Sequence, residues 1–264
     1  MNVVALISCG VGARSRREAA CPVARAVCVT PSHQSASDMV LSMARRITLL
    51  AWAQAVRAWV IEDDYDSEFR YAGWPLASLQ GIDQGERVIY IGIFSKVLFP
   101  GLRLGYAVVP PELLDAMIAA RHLADCHLPG ITEAVMTAFI EQGHFAAHLR
   151  RMCSHYCMAR DGLVAALDSR LADLLTVQAP DQGMQVQVLL RGGLNDTVVA
   201  RSGAALGGVL RPMSRLFVAA PQVSALMPGF TGYRPAALSV GVDRLERALR
   251  QRRPQIGTVW WNAA

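Results

Sequence analysis

The spacing of hydrophobic positions changes along this chain. Between Arg25 and Pro110, short apolar runs alternate with stretches whose apolar residues recur at helical spacing. "RAVCVT" reads as a strand ended by Pro31, and "SMARRITLLAWAQAVRA" reads as a helix with one buried face. "AWVIEDDYD" is an apolar strand that runs into acids, "RVIYIGIF" is a strand that ends at Ser95 and Lys96, and "LRLGYAVV" is a third. Strands separated by helices predict an α/β domain with a mainly parallel sheet, in which ligands bind beyond the carboxyl ends of the strands. The acids after Ile61 and the Ser95-Lys96 pair both fall at such ends, which predicts one shared binding mouth.

After Pro110 the pattern becomes helical, from "PELLDAMIAARHLAD" through the long stretch "TEAVMTAFIEQGHFAAHLRRMCSHYCMARDGLVAALDSRL". It then turns short and mixed, with "MQVQVLL" and "VLRPM" as strands and "NDTVVARSGAALG" and "LERALRQ" as helices. The predicted organisation is an atypical N-terminal segment (1–24), a partial large domain (25–150), a small α+β C-terminal domain (151–251) and a tail (252–264). The first segment has no clear period, and no internal repeat or low-complexity linker is present.

Composition narrows the function. A chain of 264 residues, 53% hydrophobic, can bury the core of one or two domains. No run approaches the roughly 18 apolar residues that a membrane-spanning helix needs. "MNVVALISC" is apolar, but its basic residues follow it, the reverse of a secretory signal, so a cytoplasmic protein is expected. Six irregularly placed cysteines do not form a disulfide framework. The net charge of +5 comes from scattered arginines, and the one dense cluster, "RLERALRQRR", reads as a solvated helix face. No contact of this chain with nucleic acid is therefore expected.

Among 26 Lys and Arg residues, a single one, Lys96, is lysine. An arginine-rich code explains the arginines but not the exception. A lysine amine can lose its proton and condense with an aldehyde, which a guanidinium cannot do. The biological aldehyde that fits is pyridoxal 5′-phosphate (PLP), whose protein partners include such a lysine and an acid opposite the pyridine nitrogen. Along "VIEDDYD", side chains alternate, so Asp63 and Tyr65 point one way and Glu62 and Asp64 the other. The carboxylate of Asp63 would suit the pyridinium proton, the phenol of Tyr65 the ring's 3-oxygen, and Arg103 the phosphate.

"VIEDDYDSEFRYAGWPLASLQGID" and "RVIYIGIFSKVLFPGLRLGYAVVP" closely resemble the aminotransferase-like domain of MocR-type (PdxR/GabR-like) regulators of the GntR family. The likeness continues through "VTPSHQ", "GHFAAHLRRM", "ARDGLVAAL" and "LRPMSR", from about Arg25 to Leu249. The resemblance implies the PLP-dependent fold type I architecture, with an incomplete large domain of mainly parallel sheet and a small α+β domain. It implies Lys96 as the lysine that joins PLP, Asp63 as the pyridinium partner, Tyr65 as the 3-oxygen contact and Arg103 as a phosphate contact, with Ser95 and His33 beside them. It further implies an amino acid or amine effector, and a homodimer or association with a full-length homologue.

The chain departs from that family in several places. The winged helix-turn-helix reader and the glycine-containing phosphate loop are not found, which leads us to expect an N-terminally truncated, poorly soluble relative. Ala36 and Asp38 stand at the proline and glycine positions of the family's turn, and Ile93 stands where a phosphate-binding threonine is usual. No single arginine is singled out for a substrate carboxylate, with Arg211, Arg215 and Arg234 all open. The alternatives to effector sensing are turnover of an amino acid as an aminotransferase and a non-functional fragment that only associates with a homologue. His144, His148, Cys153 and Cys157 lie one turn apart in pairs, yet the helix match makes a metal site unexpected. Trp74 is expected to pack.

Overall fold

The computed structural model describes residues 3–5, 24–34, 38–126, 130–217 and 223–251. The chain divides into two compact units, residues 1–155 with 181–183, and residues 156–180 with 184–264.

The first unit is built on a five-stranded sheet in the order β1 (Val3–Ala5), β2 (Ala26–Val29), β3 (Trp59–Asp64), β4 (Val88–Ile93) and β5 (Gly105–Val108). The first four strands pair in parallel and β5 runs antiparallel to β4. The expected mainly parallel sheet is present. β1 is an addition, because three residues are too few to leave a periodic trace.

Helix α1 (Met43–Val56) follows β2, and α2 (Leu79–Ile82) follows β3. α1 turns Leu49 and Ala53 onto Val27, Val60 and Val88, with Leu79 completing the cluster. These strand residues lie on one face of the sheet, since Val60 pairs with Val27 and with Val88. Glu62 and Asp64 lie on that same face by strand alternation. α1 stops where Arg57 turns left-handed at φ 54° and donates its N–H to Ala53 O and Gln54 O. Beyond β5 come α3 (Pro111–Asp125), α4 (Gly130–Glu141) and α5 (His144–Leu171). Between α3 and α4, residues 127–129 lie outside the described residues.

The second unit holds a four-stranded sheet in the order β6 (Leu175–Gln178), β7 (Gln187–Leu190), β9 (Ala225–Met227) and β8 (Arg211–Pro212), all antiparallel. Its helices are the carboxyl half of α5, α6 (Asp196–Ala205) and α7 (Pro235–Arg250). Asn195 caps α6 by accepting from the N–H groups of Thr197 and Val198. Leu167, Leu171, Val199, Leu226, Phe230 and Leu249 are wholly buried here.

Two expectations need correcting. The helix expected around "LERALRQ" begins ten residues earlier, at Pro235, because proline at the first helical position has a preset φ and loses no bonded N–H. The "VLRPM" strand contracts to Arg211–Pro212, since a short 3₁₀ turn (Met213–Leu216) takes over. No described helix is long and apolar enough to cross a membrane.

Candidate cofactor site at the carboxyl ends of β3 and β4

Burial alternates along β3, with Val60, Glu62 and Asp64 buried while Ile61 and Asp63 are only half-buried. The two buried acids are committed to the fold. Glu62 accepts from the N–H groups of Leu79 and Gln80, each at 2.9 Å, at the start of α2. Asp64 Oδ2 accepts from Ser67 Oγ at 2.7 Å and from Tyr90 Oη at 2.8 Å. Burial, then the hydrogen bond to Asp64, push the Tyr90 phenol above its ordinary range, so it stays protonated. Asp63 differs. It makes no hydrogen bond or ion pair with any described residue, and burial followed by the charges of Asp64 and Asp66 raises its pKa. A half-buried carboxyl with no donor is stabilised by a cationic or N–H partner brought to it.

Tyr65, one residue past β3, donates its hydroxyl to His33 O at 3.1 Å, and its ring lies 5.9 Å from the His33 ring. Ser95 is half-buried and Lys96 exposed on the turn after β4, beside the buried Val97. Val97 O meets His148 Nε2 at 2.8 Å, and Phe94 N–H donates to Leu104 O at 3.0 Å, which fixes both ends of this turn. Arg103 is exposed and left-handed at φ 49°. His33, Asp63 and Tyr65 therefore gather at the end of β3, while Ser95, Lys96 and Arg103 occupy the β4–β5 connection. Among the described residues, no hydrogen bond or ion pair joins the two groups.

Sequence reasoning did not anticipate what surrounds His33. The imidazole is 4% exposed, with Nδ1 at 2.8 Å from Asp66 Oδ2 and Nε2 at 2.9 Å from Asp38 Oδ1. Burial alone would lower its pKa. The hydrogen bonds and charges of Asp38 and Asp66 outweigh that, and the group is pushed up to about 9. Burial also pushes the Asp66 carboxyl up, but His33 opposes this, and the arrangement is best described as an imidazolium between two carboxylates. Asp38 adopts φ 51°, the conformation that favours the glycine expected there. Gly183, at φ 86°, lies so close to the imidazole that a Cβ would overlap the ring. Gln182 beside it donates to Ser32 O and accepts from Arg70. The strand signal could have pointed to Asp66, which is one step past Tyr65. Nothing local predicts a residue from 181–183 behind His33.

No group of His, Cys, Asp and Glu among the described residues could hold a metal. Trp74 is 89% exposed, which corrects the expectation of packing, because the loop carrying it turns the indole outward. Arg211, Arg215 and Arg234 all lie in the second unit and have no described side-chain partner. Ala36, and Trp260 and Trp261 of the tail, fall outside the described residues.

No protein-family model matches the chain. It is 38% identical over 229 residues to the "probable rhizopine catabolism regulatory protein MocR" of Rhizobium meliloti, covering 86% of this chain and 46% of that protein. The uncharacterized HTH-type transcriptional regulator YhdI of Bacillus subtilis is 33% identical, over 83% of this chain and 47% of the relative. The chain is thus homologous to part of these MocR-type regulators. It spans about half the length of these curated relatives. Among solved structures it resembles LysN, the α-aminoadipate aminotransferase of Thermus thermophilus, with a TM-score of 0.76 and 28% identity, over 85% of this chain and 58% of LysN. That fold type I structure holds N-(5′-phosphopyridoxyl)-L-leucine, a pyridoxyl group bonded to an amino acid. The architecture of this MocR-like chain is accordingly fold type I.

Proposed function

We propose that this chain is the PLP-binding, effector-sensing part of a cytoplasmic MocR-like regulator, with Lys96 as the residue joined to the cofactor. The observation that carries the reading is Asp63. Among the described residues it is the one carboxyl of "EDDYD" without a hydrogen-bond or ion-pair partner, and a ring N–H would supply one. The donor set fits the group, with an unpaired acid, a positioned phenol, a lysine and an arginine. PLP supplies an aldehyde with which an amine can condense and a ring that withdraws electrons.

The chain's own residues do the rest. Asp63 holds a proton at the ring nitrogen, in a setting whose low polarity strengthens that contact. Tyr65, positioned beside His33 O, would turn its one O–H from that carbonyl to the ring's 3-oxygen. Lys96 and Arg103 lie on one connection, so the amine and the phosphate-binding cation are carried by one element. His33 acts as a positioning residue, since it holds Tyr65 while its own ring is locked by Asp66 and Asp38. The effector is an amino acid or amine that competes with Lys96 for the aldehyde. The working assembly is a homodimer or a complex with a full-length homologue.

The likeness to LysN keeps a second reading alive, in which Lys96 also moves a proton on a bound amino acid and the chain turns over as an aminotransferase. One experiment separates the two. The purified chain is titrated with PLP and followed by visible absorbance, and borohydride reduction with peptide mapping then locates the pyridoxyl mass. The mass is expected on Lys96 and absent from Lys96→Arg. Amino acids that displace the absorbance without forming keto acid support the sensor, and steady keto-acid formation supports the enzyme. A PLP signal that survives Lys96→Arg unchanged overturns the assignment.

A further inference from the structure

A cavity lies wholly within the second unit, and none of its lining residues belongs to the candidate cofactor set. It has a volume of about 580 Å³, between the carboxyl half of α5, the loop from α6 to β8, and α7. That volume is in the range of small-molecule sites, roughly 300–1,000 Å³. Its floor is aliphatic, with Leu163 and Leu167 from α5, Leu210 before β8, and Leu238 and Leu245 from α7. Four polar side chains reach its wall: Gln185, Arg211, Tyr233 and Arg244. Arg244 donates to Gly207 O at 2.7 Å. The other three have no side-chain partner among the described residues. No Asp or Glu lines the cavity.

We propose that this cavity binds a carboxylate with an apolar chain or ring, its carboxylate paired with Arg211 and its body laid on the leucines. The charge of the wall decides the sign of the ligand, because two guanidinium groups with no lining acid favour an anion. The planar fork of Arg211 matches a carboxylate in a bidentate pair. The aliphatic floor decides the rest of the ligand, since a small hydrophilic anion would leave it wet. Val209 is 88% exposed and Val240 45% exposed at this site, so an apolar body would cover surface that is otherwise in water. Gly241 on α7 supplies the means of closing the site, because a Cβ built there meets nothing within 4 Å.

The test is calorimetric titration of the full chain with decanoate, with decanol as the neutral control. Decanoate is expected to bind, and decanol at least about tenfold more weakly, as a charge-assisted bond of this kind implies. Arg211→Gln, at an exposed position, should weaken decanoate about tenfold and leave decanol unchanged. Gly241→Phe should abolish binding of both while the melting temperature holds or rises, since glycine is a poor helix-interior residue. The proposal is overturned if decanoate does not bind, if decanol binds equally well, or if decanoate affinity is unchanged in both variants. Failure of PLP binding at Lys96 would not touch these outcomes.

Discussion

The first unit buries Arg46, Glu62, Asp64, Asp66 and His33, whereas the second buries leucines, valines and Phe230 with Asp196 as its one described buried acid. The charges of the first unit are held by specific partners. Arg46, 1% exposed, donates to Leu41 O, Ala77 O and Pro31 O at 2.6–2.8 Å, and its charge faces Glu62. In the second unit Asp196 accepts from Ser214 N–H and Ser214 Oγ and needs no cation. A buried ion costs several kcal/mol unless it is paired, so such groups accumulate where something else requires them. In the first unit they surround the carboxyl ends of the strands. There they fix the end of β3, which carries Asp63, and the turn after it, which carries Tyr65, and they leave Asp63 uncommitted among the described residues.

This contrast can be broken at its strongest point first. Arg46→Met leaves three carbonyls without their donor and removes the cation that faces Glu62, and a loss of about 3–5 kcal/mol is expected in urea unfolding. Phe230→Ala in the second unit should cost a similar amount, about 3–5 kcal/mol, by opening a cavity. Its effect should be independent of pH. A loss in Arg46→Met below about 1 kcal/mol would mean that the buried charge is not structural.

His33 sharpens the comparison through pH. Its folded pKa of about 9 exceeds the usual 6.5, so its contribution is fully present below pH 6.5 and is lost as pH rises through about 9. The contribution is on the order of 3 kcal/mol before the cost of keeping Asp66 ionised is deducted. Wild-type stability should therefore fall across that window, and His33→Gln should flatten the curve. A parallel fall in both proteins would remove the imidazolium from the account. Smaller again, Asp196→Asn should cost about 1–2 kcal/mol, since the amide can keep only part of what the carboxylate accepts. At the bottom, Glu246→Gln, which weakens solvent-accessible pairs with Arg170 of α5 and Arg250 of α7, should leave the thermal midpoint nearly unchanged.

Much of the first unit was legible because its signals are local. The strand "VIEDD" carries its own alternation, α3 begins and ends at the residues its pattern names, and Lys96 stands out by its chemistry alone. What could not be read depends on partners far away in the chain. The bond between His33 and Asp66 spans 33 residues and that between Ser32 and Gln182 spans 150, with no periodicity to announce either. Strand β9, three residues long, owes its existence to pairing with both β7 and β8. The solvent-facing Trp74 departs from expectation for the opposite reason, since a residue type that usually packs carries no information about the loop that holds it.

The exposed position of Lys96 makes this chain a convenient chemical reagent. An acylating dye directed at side-chain amines has one address, and a lysine-directed protease has one bond to cut. The rate of either reaction would measure directly how well any bound molecule shields the loop between β4 and β5.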